Sequence, residues 1–124
     1  MLQQAFPLFK YNPEDDYVLS RSEILSAVKG MDGIVSLLTD KMDGEVMDAA
    51  GPQLKVIANY AVGYDNIDVK AATERKIMVT NTPGVLTDAT ADFAWALMMA
   101  TARRISESER FSRALKYKAW GPKL

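Results

Sequence analysis

Short apolar runs alternate along this chain with longer stretches of helical periodicity, and this alternation constrains the fold more than any other feature. Strands that are separated by helices of roughly ten to fifteen residues favour a parallel sheet covered by helices. The predicted strands cover residues 6–11, 33–38, 54–59 and 77–81. We therefore expect an α/β fold, and 124 residues are enough for a single domain.

Capping residues mark where the predicted helices begin. Ser20 and Glu23 have the spacing of a capping box, and Asp43 and Asp68 can each cap a helix that begins after them. The predicted helices cover residues 20–29, 43–50, 68–75 and 87–118. Residues 1–86 would then form a βα core, and residues 87–120 would form a long C-terminal connecting helix.

The residue types that are missing limit the chemistry of the chain. It contains no histidine and no cysteine, and its net charge is −1. The absence of cysteine excludes thiolate chemistry and favours a cytoplasmic location, while the absence of histidine removes the commonest general base and metal ligand. We predict no metal site, since Glu14, Asp15 and Asp16 fit a solvated loop better than a cation site.

Charge and hydropathy bear on possible partners. A net charge near zero gives no sign of nucleic-acid binding. The longest apolar run, residues 93–100, is too short to span a bilayer, and the N-terminus shows no signal peptide. We therefore expect neither a nucleic acid nor a membrane as partner. Within that apolar run, Trp95 has apolar neighbours and is expected in the core.

Three segments that follow predicted strands are the candidate binding loops. They are residues 38–40, 61–64 and 81–85, and in a parallel sheet ligands bind at the carboxyl ends of the strands. Gly63 would let the backbone approach a ligand closely, and consecutive N–H groups in such a loop can hold a carboxylate. The alternative is that the glycines of these loops only form tight turns, which is the commoner situation on local pattern alone.

Two long motifs give the sequence a family resemblance. The first is LKVIANYAVGYDNID at residues 54–68, and the second is VTNTPGVLTDATAD at residues 79–92. Both resemble the D-2-hydroxyacid dehydrogenase family, especially its glyoxylate and hydroxypyruvate reductase branch. Their order and the gap between them also match, and the resemblance extends over residues 6–124.

The resemblance implies a fold and a set of roles. The fold would be a flavodoxin-like (Rossmann-like) substrate-binding domain with a three-layer parallel sheet. The backbone around Ala61, Val62 and Gly63 would bind the carboxylate of a 2-oxo or 2-hydroxy acid, and Leu38 would line the pocket. Thr90 would lie near the nicotinamide side of the cleft, as the remnant of a contact with the NAD(P) that the intact family uses.

The sequence also departs from the family pattern. No two glycines are separated by one residue, so the G-x-G-x-x-G fingerprint of the cofactor domain is absent. The family's catalytic arginine, acidic residue and histidine have no counterpart. We therefore expect that the chain alone binds no cofactor, contributes no catalytic residue and has no dehydrogenase activity. The resemblance further implies a missing first strand, and Leu115 replaces a family glycine, which should extend the last helix.

Three functional hypotheses remain open. The chain can be a catalytically silent part of an oxidoreductase, or a self-assembling module. In the second case a homodimer that exchanges the C-terminal helix would cover the edges left by the missing strand. These two are compatible. The third, an independent small enzyme or nucleotide-binding protein, is disfavoured because histidine, cysteine and a phosphate loop are all absent.

Overall fold

The computed structural model describes residues 9–10 and 17–121 of the chain. In chain order, the elements are α1 (Arg21–Ala27), β1 (Gly33–Ser36), α2 (Gly44–Ala50), β2 (Val56–Asn59), α3 (Val69–Glu74), β3 (Met78–Thr80), α4 (Thr87–Ala102) and α5 (Ile105–Arg113). The chain divides after Gly84 into two compact units. The first contains the strands and α1–α3, and the second contains α4 and α5.

The three strands form a parallel sheet in the order β1-β2-β3. This confirms the predicted parallel α/β fold. Ile34, Ile57 and Val79 lie side by side in the register and share one face. Since consecutive strands are neighbours, right-handed crossovers place α2 and α3 on the same face. The predicted strand at residues 6–11 lies outside the described residues except for residues 9 and 10, and neither of these is in a strand.

The core of the first unit lies between this face and helices α1–α3. Val46 and Met47 of α2, Ile57 of β2 and Ala72 of α3 are almost fully excluded from solvent. Burying each of the three larger side chains stabilises the fold by roughly 1.5–3 kcal/mol. The prediction that Val46 and Met47 face inward is therefore confirmed.

The opposite face of β1 is exposed, so the prediction that this strand is buried on both faces is wrong. Val35 is 65% exposed, and Leu37 and Leu38 beyond the strand end are also exposed. The prediction assumed helices on both sides of the strand. The sequential strand order instead directs α2 and α3 to the face of Ile34, and β1 is an edge strand in the described sheet.

The predicted caps are present at the helix N-termini. Ser20 and Glu23 form the capping box of α1, Asp43 accepts the N–H of Val46, and Asp68 accepts the N–H of Ala71. Partial burial raises the pKa of Asp43, but hydrogen bonds from Arg21 and from the Val46 N–H outweigh it and bring that pKa below its ordinary value. These caps set the residues at which the loops before α2 and α3 end and the helices begin.

The single helix predicted for residues 87–118 is wrong, because the chain breaks it after Ala102. Arg104 has a left-handed φ of 53°, and its guanidinium pairs with Glu107 in the first turn of α5. Leu115 ends α5 instead of extending it. It has a φ of 52°, and the N–H of Lys116 reaches back to the carbonyl of Phe111, the pattern of a Schellman cap.

The second unit has no buried residue in α4 or in α5. Trp95, expected in the core, is 62% exposed. The reason is that its apolar neighbours lie on every side of α4, and that helix has no buried face of its own. In the part of the chain that the structure describes, no helix is long and apolar enough to cross a membrane.

Lys76 offers a test of the helix ends. It follows α3 with a φ of 57°, and the N–H of Ile77 donates to the carbonyl of Ala72 in another Schellman pattern. A left-handed conformation costs a non-glycine residue roughly 1–2 kcal/mol. Lys76→Gly should therefore raise the free energy of unfolding by about 0.5–1 kcal/mol, after the entropy that glycine adds to the unfolded chain. Urea unfolding measures this change.

The matched control is Glu74→Gly, which places glycine inside α3 and should lower stability by up to about 1 kcal/mol. If Lys76→Gly also lowered stability, the left-handed cap would be absent in solution.

Candidate functional site

The carboxyl ends of the three strands meet at one edge of the sheet, as the sequence predicts. Ser36 pairs with Asn59 in the register, and Ala58 pairs with Thr80. The segments that follow are residues 37–40, 60–66 and 81–84, and hydrogen bonds join all three. The candidate site is therefore built from three consecutive β-strand ends within the first unit.

Two buried polar residues support the loop at residues 60–66. Ser36 and Asn59 are almost fully buried, and the Ser36 hydroxyl donates to Asn59 Oδ1 over 2.9 Å. Asn59 Nδ2 donates to the carbonyl of Gly63 at 2.8 Å and to Asn66 Oδ1 at 3.1 Å. Since leaving a buried polar group unpaired costs roughly 1–3 kcal/mol, this arrangement resists rearrangement.

Asn66 joins this loop to the segment after β1. Its Nδ2 lies 3.0 Å from the carbonyl of Leu37 and 3.0 Å from that of Asp40, and donates to both. The backbone carbonyl of Asn66 accepts the N–H of Met42 at 2.8 Å. The backbone of the turn at residues 37–40 is thereby fixed next to Gly63.

Three successive carbonyls of the loop are held by hydrogen bonds. The carbonyl of Ala61 accepts the N–H of Thr82 at 2.9 Å, and that of Val62 accepts Asn81 Nδ2 at 2.7 Å. The carbonyl of Gly63 accepts Asn59, as described above. In a planar trans peptide the N–H points opposite to the carbonyl. The N–H groups of Val62, Gly63 and Tyr64 therefore point away from these partners.

These three N–H groups are available to a ligand. Among the backbone hydrogen bonds of residues 9–10 and 17–121, none uses the N–H of Val62, Gly63 or Tyr64 as donor. Consecutive free N–H groups can together bind an anion where the backbone directs them to one side. The loop is exposed, and Val62 is 41% accessible.

The glycine in this loop is not required by the fold. The φ of Gly63 is outside the left-handed region, and in the described part of the chain a Cβ atom there would meet, beyond its chain neighbours, just Leu38 Cδ2 at 4.0 Å. Gly84, by contrast, has a φ of 81°, which favours glycine. The tight-turn interpretation therefore fits Gly84 and does not explain Gly63.

The structure brings together four of the five predicted site residues. Leu38 is 60% exposed beside Gly63, Ala61 is buried, and Val62 lies between Ala61 and Gly63 in the sequence. Thr90 belongs to α4 in the other unit, where its N–H donates to the carbonyl of Leu86 at 2.9 Å. The binding roles of all five residues stay predictions.

The supporting side chains were not predicted from the sequence. They are Ser36, Asn59, Asn66 and Asn81. A usable signal existed for two of them, since Ser36 and Asn59 are polar residues inside apolar runs. No group of three or more acidic residues that could hold a metal ion occurs among the described residues. The acidic residues 14–16 lie outside them.

The sequence matches a family model over residues 3–115, described as D-isomer specific 2-hydroxyacid dehydrogenase, catalytic domain. The chain belongs to this family. It is 57% identical to the glyoxylate reductase of Korarchaeum cryptofilum over 112 residues, which are 90% of this chain and 33% of that protein. It is 50% identical to the glyoxylate reductase of Thermococcus kodakarensis over an alignment of 127 positions, which covers 99% of this chain and 37% of that protein. The chain thus spans about a third of the length of these curated relatives.

Two solved structures share the fold of this chain. The TT0316 protein from Thermus thermophilus matches with a TM-score of 0.83 and 49% identity, over 87% of this chain and 34% of that one. The NAD⁺-bound 3-phosphoglycerate dehydrogenase of Entamoeba histolytica matches with a TM-score of 0.59 and 31% identity, over 67% and 27%. The resemblance inferred from the two sequence motifs is therefore confirmed.

Substituting Gly63 and Gly84 separately by alanine tests whether the fold requires glycine at each of the two positions. Gly63→Ala should leave the free energy of unfolding unchanged or raise it by up to about 1 kcal/mol, because the backbone accepts a Cβ and alanine is stiffer when unfolded. Gly84→Ala should lower it by about 1 kcal/mol, because its φ is left-handed. Urea unfolding of both variants measures the difference. A loss of stability in Gly63→Ala equal to that in Gly84→Ala would show that the fold itself requires Gly63.

Proposed function

We propose that this chain is the substrate-binding part of a glyoxylate-reductase-like D-2-hydroxyacid dehydrogenase. In this proposal the N–H groups of Val62 and Gly63 hold the carboxylate of a small 2-oxo or 2-hydroxy acid. The observation that supports it most is the row of free N–H donors beside a glycine that the fold does not need. Ala61 is the buried support of the loop, and Leu38 is its apolar wall.

A carboxylate suits these donors better than a neutral group. It is an acceptor-only anion, and hydrogen bonds to a charged acceptor are roughly twice as strong as neutral ones. Asp40, the acidic residue of the neighbouring turn, uses its carboxylate within that turn, since its Oδ2 accepts the N–H of Leu37 at 2.8 Å. The apolar side chains of Leu38 and Val62 would then contact the carbon atoms of a small acid.

The N-termini of the two helices that follow β1 and β2 do not fit a dinucleotide. A pyrophosphate binds at a glycine-rich turn that leads from a strand into a helix N-terminus. At the N-termini of α2 and α3, the carboxylates of Asp43 and Asp68 instead accept the N–H groups of Val46 and Ala71, which a phosphate would need. We therefore propose that residues other than these bind the NAD(P) of the intact enzyme. Three expectations stay predictions: that this chain alone has no dehydrogenase activity, that Thr90 is the remnant of a contact with NAD(P), and that the protein is cytoplasmic.

Carboxylate binding can be tested directly on this chain with oxalate as the probe. In a titration followed by ¹H–¹⁵N spectra, we expect shifts of the Val62, Gly63 and Tyr64 amide signals with millimolar affinity. The affinity should be weak because one loop offers few contacts to a small ligand.

The matched controls change charge at one position. Leu38→Asp should abolish the shifts by placing a carboxylate beside Gly63, whereas the neutral and similarly shaped Leu38→Asn should retain them. Shifts that concentrate elsewhere in the chain, or that are equal in both variants, would sink the proposed carboxylate site.

Self-association is a second candidate function, supported by the exposed apolar surface of α4. Its large exposed side chains include Phe93, Trp95, Leu97, Met98 and Met99. An apolar surface of this kind on a described helix is typical of a protein interface. We propose that two copies of the chain associate through α4, and exchange of this helix between copies remains one way to do so.

Solution mass tests this second candidate. Light scattering should give twice the 13.7 kDa of a single chain. Trp95→Gln combined with Met98→Gln should give the single-chain mass, because both changes remove apolar surface while keeping good helix formers. Ser108→Gln on α5 is the control and should leave the mass unchanged. A single-chain mass for the unmodified protein at all concentrations would refute association.

A further inference from the structure

The side chain of Asn81 holds the backbone of the neighbouring loop. Asn81 directly follows β3, and its Nδ2 donates to the carbonyl of Val62 at 2.7 Å. The next residue, Thr82, donates its N–H to the carbonyl of Ala61 at 2.9 Å. Residues 81–82 thus bind two successive carbonyls of the loop, and both carbonyls are turned towards the same segment.

The bond from Asn81 fixes the direction of one particular N–H group. The carbonyl of Val62 and the N–H of Gly63 belong to the same planar peptide and point in opposite directions. While Asn81 holds this carbonyl, the Gly63 N–H faces away from residues 81–82. Rotation of this peptide by half a turn would present the carbonyl oxygen in place of the N–H, and an oxygen repels a carboxylate.

Gly63 makes this peptide unusually able to rotate. A half-turn of the Val62–Gly63 peptide mainly changes ψ of Val62 and φ of Gly63. Glycine accepts positive and negative φ about equally well, so it offers little resistance. The Cβ position of Gly63 is also uncrowded, since among the described residues beyond its chain neighbours one atom, Leu38 Cδ2, lies within 4.0 Å. Something other than local sterics must therefore keep the N–H outward.

We propose that Asn81 is a positioning residue, whose side-chain amide locks the Val62–Gly63 peptide with its N–H directed towards the substrate carboxylate. The ligand part of this inference rests on the proposed function. Asn59 also binds the loop, but it is buried and joins Ser36 and Asn66 as well, so its loss would disturb the whole sheet edge. The Asn81 side chain is less buried, and Val62 is its one side-chain hydrogen-bond partner among the described residues.

The experiment compares Asn81→Ala and Asn81→Asp with the unmodified chain. At pH 7 we expect both variants to keep a folded ¹H–¹⁵N spectrum, with the Gly63 amide signal displaced and its order parameter lowered. In Asn81→Asp the ionised carboxylate has no proton to donate and repels the Val62 carbonyl. Oxalate affinity should fall roughly tenfold in Asn81→Ala, the size expected when a donor to a charged acceptor is no longer held in place. It should fall at least as far in Asn81→Asp, whose ionised carboxylate also repels the anion.

Lowering the pH separates positioning from a general structural effect. A protonated carboxyl group can donate its O–H to the Val62 carbonyl as the amide does. In Asn81→Asp the Gly63 amide signal should return towards its unmodified position as the pH falls through the carboxyl pKa, ordinarily about 3.9. Asn81→Ala should show no such return. The unmodified chain, recorded at each pH, corrects for changes that are not due to residue 81.

The possible failures can be told apart. If oxalate shifts no amide of residues 62–64 in the unmodified chain, the proposed carboxylate site fails, while the Gly63 amide signal still decides the role of Asn81. If that signal and its order parameter are the same in Asn81→Ala, or if Asn81→Asp shows no return at low pH, the positioning role is overturned. An unchanged oxalate affinity in Asn81→Ala, where the unmodified chain binds, overturns it as well.

Discussion

The side-chain amide of Asn59 joins the end of the sheet to the loop of the candidate site. Through its oxygen it accepts the Ser36 hydroxyl of the neighbouring strand, and through its nitrogen it holds the carbonyl of Gly63. Because Ser36 and Asn59 are buried and paired in the register, the loop takes its position from the sheet. The apolar packing that holds the central strand β2 in place thereby also determines where the free N–H groups of the loop lie.

Hydrogen bonds from asparagine side chains to backbone carbonyls recur throughout this site. Asn59, Asn66 and Asn81 each use a side-chain amide to hold backbone oxygens of the loops beside them. At Val62 and Gly63, the held carbonyl turns the N–H of the next residue away from its asparagine partner. A loop with little regular structure can therefore present ordered N–H donors without any charged side chain. The proposed site accordingly needs no histidine, and the chain contains none.

The sequence predicted the features that depend on local chemistry. The caps at Asp43 and Asp68 follow from side chains that bond to N–H groups three residues away, and both occur. The exposure of Val35 was not predictable in this way, because it depends on which face of the sheet the helices cover. The break at Arg104 was also missed, since arginine and its neighbours favour helix locally. The asparagines that hold the loops resemble ordinary turn residues in sequence, and only the structure shows what they contact.

The central claim is that the free N–H groups of Val62 and Gly63 hold a carboxylate while the carbonyls behind them stay bound. The most direct test is a crystal structure of the chain grown with oxalate. The account predicts a carboxylate oxygen about 2.7–3.2 Å from the N atoms of Val62 and Gly63, with Asn81 still donating to the Val62 carbonyl. Oxalate bound only at other places, or a Val62–Gly63 peptide with its carbonyl directed at the ligand, would contradict the account.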